Sequence, residues 1–131
     1  MFCLYNMPTI FSSYLIFALN SFSKEVSEKI HNNGGKYKII KELQIEVLPL
    51  SEVFEKYLPK GQNIDFISID VEGLDFQVLL SNDWDKYQPE VILVEENINV
   101  DDIGKSPIYQ FLKEKGYSFF AKTLRTCIYK K

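Results

Sequence analysis

Ile64-Asp65-Phe66-Ile67-Ser68-Ile69-Asp70-Val71-Glu72-Gly73 is the stretch whose reading decides the fold. It is rich in β-branched and aromatic residues up to an acid, and a second acid and a glycine follow. That predicts a strand over 64–70 running into a turn. Leu74 to Asn82 carries apolar residues at 74, 76, 78, 79 and 80, a short helix. Trp84 and Tyr87 fall in the link before Pro89, and Trp84 is expected to pack beneath it. Val91-Ile92-Leu93-Val94-Glu95-Glu96 is then a nearly continuous apolar run that ends on two acids. Such runs belong to strands buried on both faces, as in parallel sheets. Strand, helix and strand in succession make a βαβ unit, whose crossover is expected to be right-handed.

Downstream, a polar loop covers Asn97 to Lys105. Ser106-Pro107 opens a helix with proline at its first position. Ile108, Phe111 and Leu112 share one face of it, and Gly116 stops it. Strands over Tyr117–Lys122 and about Thr126–Tyr129 follow, joined only by Thr123-Leu124-Arg125. A link that short permits an antiparallel hairpin and excludes a crossover. The expectation is therefore an α/β fold, a parallel sheet closed by a hairpin.

Upstream, Ile45-Glu46-Val47-Leu48 alternates as a strand does, and Pro49 closes it. Residues 50, 53, 54, 57 and 58 form one helical face, with Ser51 as the expected N-cap and Pro59-Lys60-Gly61 as the stop. Ser23 caps a further helix over Lys24–His31, ended by Asn32-Asn33-Gly34-Gly35. A glycine pair after a helix is a poor phosphate loop, because phosphate cradles follow a strand and open a helix.

The first 22 residues form an apolar segment expected to pack or run extended, and 23–131 form the rest of the domain. No Lys or Arg precedes Lys24, so a secretory signal lacks its basic start. Asn6, Pro8, Thr9, Ser12 and Ser13 interrupt any membrane span. With 46% hydrophobic and 25% charged residues, ten Phe and eight Tyr, the 131-residue chain has material for one core. Its net charge of −3 gives no footing for nucleic acid. Cys3 and Cys127 form neither CxxC nor metal-ligand spacing, and both read as reduced thiols of a cytoplasmic protein. No membrane partner is expected. His31 has no second ligand at metal spacing, and no metal is assigned.

In open parallel sheets ligands bind beyond the carboxyl ends of the strands. Asp70 and Glu72 follow one such end, Glu95 and Glu96 the other, so these acids are expected to converge on one rim. Asp70, Glu72, Glu95 and Gly73 are the candidate site. Glu96 reads as a solvated loop acid. The bland reading of Asp70 and Glu72 is that they cap the helix beginning near Gly73, where a helix dipole favours acids by about 0.3–1 kcal/mol. Gly73 is expected to allow close approach or an unusual dihedral.

The strand running into Asp70-Val71-Glu72-Gly73, followed by Pro89-Glu90-Val91-Ile92-Leu93-Val94-Glu95, resembles the signature of the FkbM methyltransferases. Gly116-Tyr117 matches the family's Gly-Tyr before the penultimate strand, and the resemblance runs from about residue 20 to the end. It implies part of a class I, Rossmann-like sheet and S-adenosylmethionine as cofactor. The implied reaction is O-methylation of a hydroxyl on a sugar or other small molecule. Carried over by position, Asp70 orients or deprotonates the acceptor, Glu72 supports it or holds a cation, and Glu95 and Gly73 meet the acceptor. The family's glycine-rich turn, D-x-G-x-x-x-G after a first strand, has no counterpart upstream of Asp70. The expectation is a truncated chain, or one that needs a partner protein to supply the cofactor-binding half.

Two other readings stand beside this one. Without a cofactor site the chain is a catalytically inactive remnant or an interaction module. Asp70-Val71-Glu72 also resembles the first motif of DEDD-type exonucleases, which use two metals. Against that, the single histidine lies upstream, and Lys113 stands where the Tyr-x-x-x-Asp helix would need its acid after Tyr109.

Overall fold

The computed structural model describes residues 9–13 and 41–45 at the backbone and residues 47–131 in full. The expected helix over Lys24–His31, the glycine pair, Cys3 and His31 lie outside the described residues. The chain divides into two compact units: Met1–Leu48 with Val71–Leu74, and Pro49–Asp70 with Asp75–Lys131.

In the first unit, β1 (Thr9–Ser13) pairs antiparallel with β2 (Lys41–Ile45), from Thr9 opposite Ile45 to Ser13 opposite Lys41. The strand expected over 45–48 thus lies earlier in the chain. The ladder ends at Ile45, and Val47, beyond it, is exposed and in no regular element. Alternation in the sequence marks a tendency to extend, but a strand ends where its partner does.

The second unit begins with α1 (Leu50–Tyr57). Its N-cap position is Pro49, which has no side chain to accept a bond, and Ser51 lies inside the helix. The cap comes instead from 31 residues away: the Leu50 N–H donates to Ser81 Oγ at 3.0 Å and the Ser51 N–H to Ser81 O at 3.3 Å. Any neighbour that offers an oxygen can satisfy the first N–H groups of a helix.

β3 (Phe66–Ile69), α2 (Asp75–Leu80) and β4 (Val91–Glu95) form the βαβ unit, and β3 and β4 are parallel, with Ile69 opposite Val94. Next come a 3-10 helix (Val100–Lys105), within the stretch expected to be loop, and α3 (Pro107–Glu114). Ser106 caps α3, its Oγ accepting from the Tyr109 N–H at 3.0 Å, with Pro107 at the first position. The chain closes with β5 (Ser118–Lys122) and β6 (Thr126–Lys130) as an antiparallel hairpin. The pairing slips between Phe119 and Ala121, a bulge that leaves Phe120 exposed.

The four strands lie in the order β3-β4-β6-β5. β6 enters between β4 and β5, antiparallel to both, so the β3–β4 contact is the parallel one among the described residues. The sheet is mixed rather than parallel with a hairpin appended. The three-residue link explains it: β6 must run back beside β5, and its Cys127 and Tyr129 are the side chains that fill the core next to β4.

Buried residues form two rows across this sheet. Ile69, Val94 and Cys127 make one, and Ile92 with Tyr129 the other. Trp84 does pack as expected, at 7% exposure, with its indole N–H on Leu79 O at 2.9 Å. Phe111 and Tyr117 meet its ring edge-on at 5.7 and 5.8 Å between centroids. The strands are not buried on both faces. Phe66 and Ser68 are exposed, and in β4 only Ile92 and Val94 are fully covered. A continuous apolar run therefore overstated the burial, since residues of one strand alternate between two faces whatever their type.

Candidate functional site

Parallel pairing of β3 and β4 settles the placement of the acids. Ile69 lies opposite Val94, so Asp70 and Glu95 leave the sheet side by side at the same edge. Asp70 and Glu95 are thus neighbours across the ends of two parallel strands, and Glu72 follows Asp70 by two residues in the turn. Asp70 is exposed, while Glu72 and Glu95 are half-buried. Of the acids expected at a common rim, the strand pairing brings Asp70 and Glu95 to the same edge.

The turn after β3 is unusual. Glu72 has φ of 51° and Gly73 of 101°. A left-handed backbone is costly for a residue with a Cβ, and natural for glycine. Gly73 is therefore required by the turn, as expected. Glu72 takes up a strained conformation of the kind that gathers at functional sites. α2 starts only at Asp75, later than the expected start near Gly73, so Asp70 and Glu72 both precede it. Asp75 is the acid in that turn and is only 6% exposed. Nothing in its spacing marked it out in the sequence, because a first-turn acid usually faces solvent.

Glu96 turns away from the expected solvated position. Its Oε1 accepts from Ser106 Oγ at 2.5 Å. Its Oε2 is buried with no hydrogen-bond partner among the described residues, as is the Tyr129 hydroxyl. Burial pushes the Tyr129 phenol well above its ordinary range, and the nearby Cys127 and Glu96 push it further the same way. Burial likewise raises the Cys127 thiol, which is free. Glu96 thus ties the end of β4 to the cap of α3.

Arg125 was not legible as a site residue. Thr126 lies opposite Glu95 in the β4–β6 ladder, so the hairpin tip comes to the edge that carries the acids. There Arg125 Nη1 stands 3.5 Å from Glu95 Oε1. No local pattern announces this, because it depends on which strand β6 chooses as its neighbour.

Chemically, the rim offers carboxylate oxygens to a hydroxyl proton or a hard cation. A nucleoside cofactor finds less. Such groups need a backbone cradle that glycine leaves open. An added Cβ at Gly61, Gly104 or Gly116 would meet open space, so none of these glycines lines a close-fitting surface. These three positions supply no cradle for S-adenosylmethionine.

No helix among the described residues is long and apolar enough to cross a membrane. No curated protein and no solved structure matches the chain. The family model for the methyltransferase FkbM domain matches residues 7–119, beginning upstream of the stretch whose motifs carried the resemblance. Strand, turn and paired acids all lie within that match, and the chain belongs to the FkbM methyltransferase domain family.

Proposed function

We propose that the Asp70–Glu95 rim is the acceptor side of an S-adenosylmethionine-dependent O-methyltransferase acting on a hydroxyl of a sugar or other small molecule. The observation that carries this reading is that Asp70 and Glu95 stand side by side at the ends of two parallel strands. Family membership supports it, and the β5–β6 hairpin at one edge accords with a class I sheet.

Asp70 is the exposed member and the one able to reach an incoming hydroxyl, to orient it or accept its proton. Glu72 supports Asp70 from the turn. Glu95 and the bare backbone at Gly73 contact the acceptor. Positioning dominates this chemistry, because an oxygen nucleophile reacts only when aligned with the bond it attacks. The grip on the donor is assigned to residues outside those described, or to a partner protein, and the absence of a cradle at Gly61, Gly104 and Gly116 supports that assignment. The same absence favours a second reading, an interaction module without catalysis of its own.

Calorimetry with S-adenosylmethionine, followed by transfer of its labelled methyl group to a panel of methyl hexopyranosides, separates the two. Saturable binding by the chain argues against the inactive module. Asp70→Asn should then lower turnover by about 10²–10⁴-fold, the usual share of a general base. Unchanged turnover in that variant would remove Asp70 from the chemistry.

A further inference from the structure

Four polar side chains gather where the end of β4 joins the start of α3. Ile92 and Val94 are the fully buried members of β4, and alternation returns Glu96, two residues beyond Val94, to their face. The Glu96 N–H donates to Arg125 O at 2.8 Å, which fixes the backbone from which the Glu96 side chain leaves. Cys127 and Tyr129, both fully buried, lie opposite Val94 and Ile92 on β6. Ser106 completes the set. Its buried hydroxyl donates to Glu96 Oε1 at 2.5 Å and accepts from the Tyr109 N–H at 3.0 Å.

Two buried atoms of this set have no hydrogen-bond partner among the described residues, Glu96 Oε2 and the Tyr129 hydroxyl. They make no bond to each other either. Their needs are complementary, because a carboxylate oxygen accepts and a phenol donates. Leaving a buried donor or acceptor unmade is unfavourable, and native interiors satisfy nearly all of them. The Cys127 thiol is a poor substitute, since sulfur is a weak donor and a weak acceptor. A small molecule that donates and accepts at once satisfies both atoms.

We propose that one ordered water molecule bridges Glu96 Oε2 and the Tyr129 hydroxyl. It donates a hydrogen to the carboxylate and accepts the hydrogen of the phenol. Its second hydrogen has an acceptor in Ser106 Oγ, which spends one of its two lone pairs on the Tyr109 N–H. That makes about three bonds, the usual number for a buried water. Burial keeps the phenol protonated, so it offers a hydrogen, which suits water better than a cation. The water serves Oε2 and leaves Oε1 dependent on Ser106. The bridge joins the start of α3, the end of β4 and the core of β6, and it holds the residue that follows Glu95. None of this depends on the methyltransferase reading.

A high-resolution crystal structure of the full chain should show water density within about 2.5–3.0 Å of both oxygens. Density that reaches only one of them, or a direct bond from Tyr129 to Glu96, would overturn the proposal. Oxygen-17 relaxation dispersion supplies a solution test, because it counts waters that stay bound for long times. Tyr129→Phe keeps the ring and its packing and removes only the hydroxyl. The variant should hold one long-lived water fewer than the parent, and an equal count would overturn the bridge. The density in the parent decides the matter even where the variant does not fold.

Discussion

Ser106 joins two elements through one oxygen, and its removal has a cost that can be worked out. Its hydroxyl is fully buried, accepts from the Tyr109 N–H at 3.0 Å, and donates to Glu96 Oε1 at 2.5 Å. Ser106→Ala loses an N-cap, about 1 kcal/mol. It also strips a carboxylate of its hydrogen bond, about 1.5–3 kcal/mol. Glu96 Oε2 is already buried without a partner among the described residues, so the carboxylate has little left to fall back on. The two losses share one atom and do not add fully, which places the expected destabilisation at about 2–3 kcal/mol. Trp84 is the single tryptophan and lies in the core, so its fluorescence reports urea unfolding directly. Building Ser106→Ala on Glu96→Gln separates the cap from the carboxylate bond, and the coupling should be about 1 kcal/mol or more. A Ser106→Ala chain that unfolds within about 0.5 kcal/mol of the parent, the range of an ordinary surface change, would refute this account of the end of β4.

Gly73→Ala should destabilise by about 1–2 kcal/mol in the same urea assay, because φ of 101° is closed to a residue with a Cβ; an unchanged midpoint would mean that the turn relaxes freely. Alkaline pH should unfold the protein through its buried phenols. Burial pushes Tyr117 up to about 12, with Glu90 adding to the rise, and Tyr129 moves in the same direction. The folded state holds these protons more tightly than the unfolded chain does. Stability is therefore intact below the ordinary tyrosine range near 10 and falls as pH rises toward 12, by at most about 1.4 kcal/mol per pH unit for each group. Thermal melts across that window, in the parent and in Tyr117→Phe, check the slope, which should be shallower in the variant.

Much of the architecture was legible because local chemistry and tertiary structure agree. The apolar strand, the short helix and the second apolar strand announced a parallel pair, and the pair brought Asp70 and Glu95 to one edge. Ser106-Pro107 and Gly116 marked both ends of α3, since caps depend on residues within one turn. The three-residue link specified a hairpin.

The misses share a different cause. Ser51 gave way to Ser81 as the cap of α1, the strand over 45–48 moved to Lys41–Ile45, and Glu96 went from solvent to a half-buried bond with Ser106. In each case the deciding partner is distant in sequence, and no window of ten residues contains it. The sequence by itself determined which segments extend, which coil and which end on acids, because those follow from side-chain shape and short-range sterics. Only the tertiary structure decided that β6 slips between β4 and β5, and with it that Arg125 comes to rest on Glu95. Strand order is chosen by which apolar faces bury best together, and that comparison exists only once the chain has folded.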